Sequence, residues 1–214
     1  MRNRFDEQLF ELNREIIEMG AICEEVIASA VKALTLGDVE LAKQVKKNGS
    51  AIDQLERDIE SRCMKLLLHQ QPVARDLRLI SAALKMITDM ERIGDQAEDI
   101  AEIVISMNGH TVEDLKIITE MAKETIEMVT GSVDAFVKKD VDLAKKIIRQ
   151  DDLVDNYFLK AKHDIITLIT ERATDGEFAL DLLMISKYFE RIGDHATNIA
   201  EWVIYSVTGT HKEA

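Results

Sequence analysis

The chain has 214 residues and a formal net charge of −13 at pH 7, from 40 acidic and 27 basic side chains. This excess of negative charge excludes a surface that wraps DNA or RNA, because phosphate backbones are neutralised by clustered cations. Nine Gly and a single Pro leave few positions for hairpins, which excludes an all-β fold and disfavours an α/β fold. The hydrophobic fraction of 46% is that of a globular chain rather than a disordered one.

Helical patterning fills almost the whole sequence, and its breaks define six helices of roughly 25 to 35 residues each. The first break is at 37–38, whereas Asn-Gly-Ser at 48–50 only interrupts the second helix, because the apolar pattern resumes at once. Pro72 begins the third helix, since Pro disfavours helix at the residue before it and suits a first turn. The remaining breaks are expected at 108–110, where a capping pattern follows at 111–114, and at 138–140, 174–176 and 208–209.

The second half of the chain repeats the first. Asp53 corresponds to Asp155, 102 residues later, and the pentapeptide Glu-Arg-Ile-Gly-Asp at 91–95 recurs letter for letter at 190–194, 99 residues later. A repeat of this length indicates a duplicated three-helix unit. The prediction is therefore an all-α fold of two tandem three-helix bundles. The expected bounds of the two bundles are 1–107 and 108–214.

Acidic side chains follow one flank of the helix that carries the first pentapeptide. At about 100° per residue they fall within about 100° of arc, beside an apolar face that includes Met90 and Ala97. The side chains on this flank are Glu91, Asp95, Glu98, Asp99 and Glu102. The corresponding positions in the second repeat hold Glu190, Asp194, Thr197, Asn198 and Glu201.

Like charges at this spacing repel one another, so a neutralising partner is expected. Water and salt, an Arg from a neighbouring helix, or a divalent cation could supply it, and carboxylate oxygens suit Mg, Ca, Mn or Fe. A second acidic row on the preceding helix could meet the first. Its members are Asp53, Glu56 and Glu60 in the first repeat and Asp151 and Asp155 in the second. The alternative is a solvated acidic face with no ligand.

The sequence carries no pattern typical of an active site. It has no Glu-x-x-His, which a di-iron site of the ferritin type requires, and no Gly-rich phosphate loop or nucleophile motif. His195 projects away from the acidic flank and is expected to be a surface histidine. Cys23 and Cys63 lack partners at metal or redox spacing and are expected to be buried small hydrophobic residues in a reducing compartment.

The N-terminal sequence lacks the apolar core of a signal peptide. No stretch approaches the roughly 18 uncharged apolar residues of a membrane helix. A cytoplasmic protein is expected on these grounds.

The paired pentapeptides resemble the PhoU family of bacterial phosphate-transport regulators, as do Gln-Pro-Val-Ala-Arg-Asp-Leu-Arg at 71–78 and the segment 190–201. The resemblance covers essentially the whole chain. It implies two similar three-helix bundles with Glu/Asp-x-x-x-Asp motifs that hold multinuclear metal clusters on the bundle surface. The metal would be iron, zinc or another divalent ion.

The resemblance implies nine metal ligands in this sequence. They are Asp53, Glu91, Asp95 and Asp99 in the first repeat and Asp151, Asp155, Glu190, Asp194 and Asn198 in the second. One motif departs from the family pattern, because Gly49 stands where an acid is usual before Asp53. Asp99 stands where the second repeat has Asn198, and this additional anionic ligand is expected to compensate in part.

The resemblance also implies the function. It predicts a non-enzymatic cytoplasmic regulator that keeps phosphate-starvation genes off when phosphate is plentiful, and that forms a homodimer. Its partners would be the ATPase subunit of a phosphate ABC transporter and a membrane sensor histidine kinase, so that it reaches the membrane only peripherally and binds no nucleic acid. The alternatives are a metal-carboxylate enzyme of the di-iron type and a purely structural helical scaffold.

Overall fold

The computed structural model describes residues 2–69, 73–111, 116–172 and 176–210. In these ranges the chain forms six helices of 23 to 35 residues, which confirms the predicted all-α fold. The helices are α1 (Arg2–Leu36), α2 (Val39–His69), α3 (Ala74–Ser106), α4 (Lys116–Lys138), α5 (Val141–Arg172) and α6 (Gly176–Thr208). The shortest, α4, falls slightly below the expected length range.

The first turns of α2 and α5 show the repeat at the level of single hydrogen bonds. The Asp38 carboxylate accepts a hydrogen bond of 2.9 Å from the backbone N–H of Leu41, and Asp140 accepts one of 2.9 Å from Leu143. These Asp side chains cap otherwise unpaired N–H groups at equivalent positions of the two repeats. Gly37, with a φ of 64°, supplies the left-handed turn between α1 and α2.

Other predicted breaks have mixed outcomes. The helix α2 continues through 48–50, as expected, and α3 ends at Ser106, just before the predicted stop at 108–110. The breaks after α4 and α6 also lie where they were expected. The breaks at 70–72 and 174–175, and most of the capping pattern at 111–114, lie outside the described residues.

The helices of each repeat pack against one another in every pairing, and two further pairs, α1 with α4 and α3 with α6, join the repeats. Over the described ranges, α2 contacts only α1 and α3, and α5 contacts only α4 and α6. Four helices therefore form a central layer, with one outer helix on each side. The precise division of the chain at 107 and 108 stays a prediction.

The apolar face predicted for α3 is buried, and the hydrophobic core continues through both repeats. Cys23 and Cys63 are free, buried thiols, as expected. Burial raises the pKa of each to about 12, so neither is a thiolate at neutral pH. None of the helices, as far as the structure describes them, is both long enough and apolar enough to cross a membrane.

The Gly of each pentapeptide lies in the contact between the outer helix and its neighbour. A Cβ atom at Gly94 would lie 2.8 Å from Cδ1 of Ile52 on α2, whose side chain is 1% exposed. A Cβ atom at Gly193 would lie 3.4 Å from Cγ1 of Val154 on α5, the residue equivalent to Ile52. The first contact is tighter than van der Waals packing allows, whereas the second is ordinary.

We expect Gly94→Ala to destabilise the protein and Gly193→Ala to be neutral or stabilising. Ala favours a helix over Gly by about 1 kcal/mol, but overpacking a core costs about 1–3 kcal/mol. Adding Ile52→Val to Gly94→Ala should recover stability, because it removes the obstructing methyl group and places at residue 52 the Val that the second repeat has at the equivalent position. Free energies of unfolding from urea titrations would test this, and equal effects of the two single Gly substitutions would contradict it.

Candidate metal-binding site

In the first repeat, the acidic rows of α2 and α3 face one another. Burial raises the pKa of Glu91, and the nearby carboxylates of Asp95, Glu56 and Asp53 raise it further. Burial also raises the pKa of Glu98, and the charges of Asp53 and Asp95 raise it further. Asp53 of α2 therefore lies within electrostatic reach of two carboxylates of α3, as the sequence pattern predicted.

In the second repeat, the rows of α5 and α6 meet in the same way. Burial raises the pKa of Asp151 to about 6, and the charges of Asp194 and Asp155 act in the same direction, while the nearby Thr197 hydroxyl lowers it. Burial, Glu190 and Asp155 raise the pKa of Asp194. The carboxylates of both helices thus make each other harder to ionise.

A few basic side chains neutralise part of this charge. Arg92 lies 3.5 Å from carboxylate oxygens of both Glu91 and Asp95, and Lys187 forms an ion pair with Glu190. These two cations belong to the same helices as the acids, but Lys46 of α2 also lies 3.3 Å from Glu102 of α3, so a neighbouring helix contributes as well. The Arg92 side chain is 56% exposed, so solvent weakens its pairing, and the carboxylates still outnumber their basic partners.

Asp89 of α3 connects the two repeats at the contact between α3 and α6. Its Oδ1 atom lies 2.9 Å from Nδ1 of His195 and accepts a hydrogen bond of 3.2 Å from Nδ2 of Asn198. The prediction of a surface histidine was therefore wrong, since the His195 side chain is only 19% exposed. A helical projection of α6 alone contains no information on its neighbours, so it could not reveal that α3 of the other repeat covers the face that carries His195. No sequence signal singled out Asp89, whose equivalent in the second repeat is Tyr188.

The structure brings together most of the nine predicted ligands, but two lie nearer the contact between the repeats. The Asn198 amide is engaged by Asp89. Asp99 lies near Asp95 on its own helix and also near Arg191 and Tyr188 of α6. The ligands that line the paired helices are Asp53, Glu91 and Asp95 in the first repeat and Asp151, Asp155, Glu190 and Asp194 in the second.

The donor chemistry of both rows fits a hard or borderline divalent cation, because the available atoms are carboxylate oxygens. In the second repeat, the Thr197 hydroxyl oxygen is buried beside Asp151 and makes no hydrogen bond of ordinary geometry within the described part of the chain. Among the same residues, no three Asp, Glu, His or Cys side chains already converge on one point. A cation would therefore be held after side-chain rotation, not in a preformed cage.

Comparison with known proteins identifies the family. A family model described as the PhoU domain matches residues 16–104 and again residues 118–203. The chain belongs to the PhoU family. The two matches fall one in each repeat, in agreement with the internal duplication.

Relatives of known name match almost the entire chain. A Clostridium acetobutylicum protein named "Phosphate-specific transport system accessory protein PhoU homolog" is 35% identical over 97% of this chain and 96% of its own length. The crystal structure of PhoU from Pseudomonas aeruginosa is 35% identical, with a TM-score of 0.91 over 96% of this chain and 100% of that one. A phosphate transport system regulatory protein PhoU from Streptococcus pneumoniae is 27% identical, with a TM-score of 0.90 over 98% and 100% of the two chains. These matches confirm the family and fold that the sequence predicted.

We expect the metal-free protein to lose stability as the pH rises from about 4 to about 7. The pKa of Asp151 is about 6 when folded against an ordinary value of 3.8, so the folded state binds more protons than the unfolded state in this range. The stabilisation that comes from the protonated Asp151 is complete below its ordinary pKa of 3.8 and is lost as the pH rises past its folded pKa of about 6. The raised pKa values of Glu91, Glu98 and Asp194 act in the same sense.

Asp151→Asn should raise the melting temperature at pH 7.5 by a few °C and flatten its pH dependence, because the amide carries no charge to desolvate. Asp164→Asn, at an exposed position of α5, is the matched control. Melting curves in the presence of a chelator would measure both. A steeper pH dependence in Asp151→Asn than in the wild type would contradict the prediction.

Proposed function

We propose that this protein is a non-enzymatic accessory regulator of phosphate-specific transport. The observation that carries the proposal is the match, over nearly the full length of both chains, to a relative named as a phosphate-specific transport system accessory protein PhoU homolog. The sequence supports a regulator rather than an enzyme, since it lacks Glu-x-x-His and the other catalytic motifs sought. No observation favours the di-iron alternative.

The regulator would link the ATPase subunit of a phosphate ABC transporter to a membrane sensor histidine kinase. An ATPase subunit consumes cytosolic ATP, so this contact would be made in the cytoplasm, and the protein would reach the membrane only through its partners. Large apolar side chains are exposed singly on several helices. Examples are Phe10 on α1, Leu68 on α2 and Leu159 on α5. Homodimer formation belongs to the same proposal.

Deletion of the gene should raise alkaline phosphatase activity in cells grown with abundant phosphate, because the starvation response would no longer be repressed. The enzyme activity in lysates of deleted and wild-type cells measures this. Restoration of repression by a plasmid copy is the control. Unchanged repression, in cells with no second copy of the gene, would contradict the proposed regulation.

We also propose that the facing acidic rows hold a divalent or multinuclear metal as a cofactor, with iron, zinc and other divalent ions as candidates. The chain itself supports this through the crowding of partly buried carboxylates, which raises their pKa values in both repeats. Bound metal would supply positive charge. The rows would then hold the outer helix of each repeat against its neighbour without mutual repulsion.

Metal measured by plasma mass spectrometry in untagged wild-type protein should fall by about half in Glu91→Ala/Asp95→Ala, since two equivalent sites are proposed. The second-repeat variant Glu190→Ala/Asp194→Ala should behave alike. Glu25→Ala/Glu127→Ala, which removes two exposed carboxylates from α1 and α4, is the matched control. Chelation should lower the melting temperature of the wild type.

Two results would contradict the metal proposal. One is a wild-type protein that holds no metal after gentle purification and reloading. The other is an unchanged melting curve after chelation of protein that did hold metal. The first result would make the acidic rows a solvated or partner-facing surface, whereas the second would refute only the link between bound metal and stability. The proposed regulation of phosphate transport would still stand.

A further inference from the structure

The space beside Gly49 on α2 is filled by a side chain from α3. A Cβ atom built on Gly49 would lie 1.5 Å from Oε1 of Glu98 and 2.4 Å from its Cδ. The Glu98 carboxyl group therefore occupies the place where a side chain of residue 49 would begin. Gly49 is buried, and no residue other than Gly fits there while Glu98 keeps this position.

The equivalent positions in the second repeat carry the opposite arrangement. Asp151, on the outer helix α5, stands where the first repeat has Gly49, and Thr197, on α6, stands where it has Glu98. The Asp151 carboxylate and the Thr197 hydroxyl are neighbours, as Gly49 and Glu98 are. Each repeat thus places one carboxylate at this point, supplied by the outer helix in one case and by the central helix in the other.

Steric overlap and charge repulsion explain why both members of the pair, residues 49 and 98, differ from their equivalents in the second repeat. An Asp at position 49 would collide with Glu98, and two carboxylates at that distance would repel strongly. A Thr in place of Glu98 would leave the first repeat with no carboxylate beside position 49. Both pairings found in this chain, Gly with Glu and Asp with Thr, supply one carboxylate without a clash.

We propose that Glu98 is a metal ligand of the first repeat and replaces the carboxylate that Gly49 lacks. This inference rests on the proposed metal function. Glu98 fits the role better than Asp99, because Asp99 lies toward Arg191 and Tyr188 of α6, whereas Glu98 lies over α2 within reach of Asp53. The two repeats would then offer the same number of carboxylates to metal despite their different sequences.

Mn²⁺ binding to the metal-free full chain tests the proposal, with Glu190→Ala/Asp194→Ala as the background so that binding reports on the first repeat alone. In this background, Glu98→Gln should weaken Mn²⁺ binding by about tenfold or more, at least the effect of losing an outer-shell partner of a metal. Glu25→Gln, at an exposed position of α1 outside the acidic rows, is the matched control and should leave binding unchanged. Isothermal titration calorimetry measures affinity and stoichiometry together.

The decisive variant moves the carboxylate from residue 98 on α3 to residue 49 on α2. Gly49→Asp/Glu98→Thr reproduces the second-repeat pairing inside the first repeat, and it should restore Mn²⁺ affinity to within about threefold of the background protein. Glu98→Thr alone should bind as weakly as Glu98→Gln. Circular dichroism and urea unfolding would establish that each variant is folded, so that lost binding is not lost structure.

The outcomes separate the two proposals. If the background protein binds Mn²⁺ and Glu98→Gln binds it equally well, the role of Glu98 is overturned and the metal function stands. If Gly49→Asp/Glu98→Thr is folded but does not recover Mn²⁺ affinity, the claim that Glu98 replaces the carboxylate missing at residue 49 is also overturned. If the wild type binds neither Mn²⁺, Zn²⁺ nor Fe²⁺, the metal function fails, and the role of Glu98 fails with it.

Discussion

The close approach of each outer helix to its neighbour is the constraint on which the acidic rows depend. At Gly94 the backbone of α3 lies against Ile52, and at Gly193 the backbone of α6 lies against Val154. A larger residue at position 94 would push the helices of the first repeat apart and, with them, the carboxylates on their flanks, whereas position 193 has room for a Cβ atom. The Gly and the acids of the repeated pentapeptide therefore have linked roles, since the Gly sets the distance across which the acids interact.

Packing at this distance works against the electrostatics of the same surface. Hydrophobic contact draws the helices together, while the burial that follows makes their carboxylates costlier to ionise. Arg92 and Lys187 relieve part of the repulsion from partly exposed positions. The crowded carboxylates of both repeats lower the stability of the folded protein locally. Such a loss of stability is common where a site serves binding rather than folding.

The sequence predicts the helices, the duplication and the facing rows because each depends on periodicity along one chain segment. The burial of Met90 follows from its place on the apolar face of α3. The environment of His195 could not be predicted, because Asp89 reaches it from the other repeat and sequence spacing contains no such information. The meeting of Glu98 with Gly49 was also missed, since it depends on how two helices are aligned within a bundle.

The central layer of four helices has a mechanical consequence. Over the described ranges, α2 and α5 each pack only within their own repeat, and they do not touch each other. A shift of α2 reaches the second repeat only if α1 or α3 moves with it. The two outer helices are therefore coupled only through the central layer, either by the contact between α1 and α4 or by the contact between α3 and α6, where Asp89 lies.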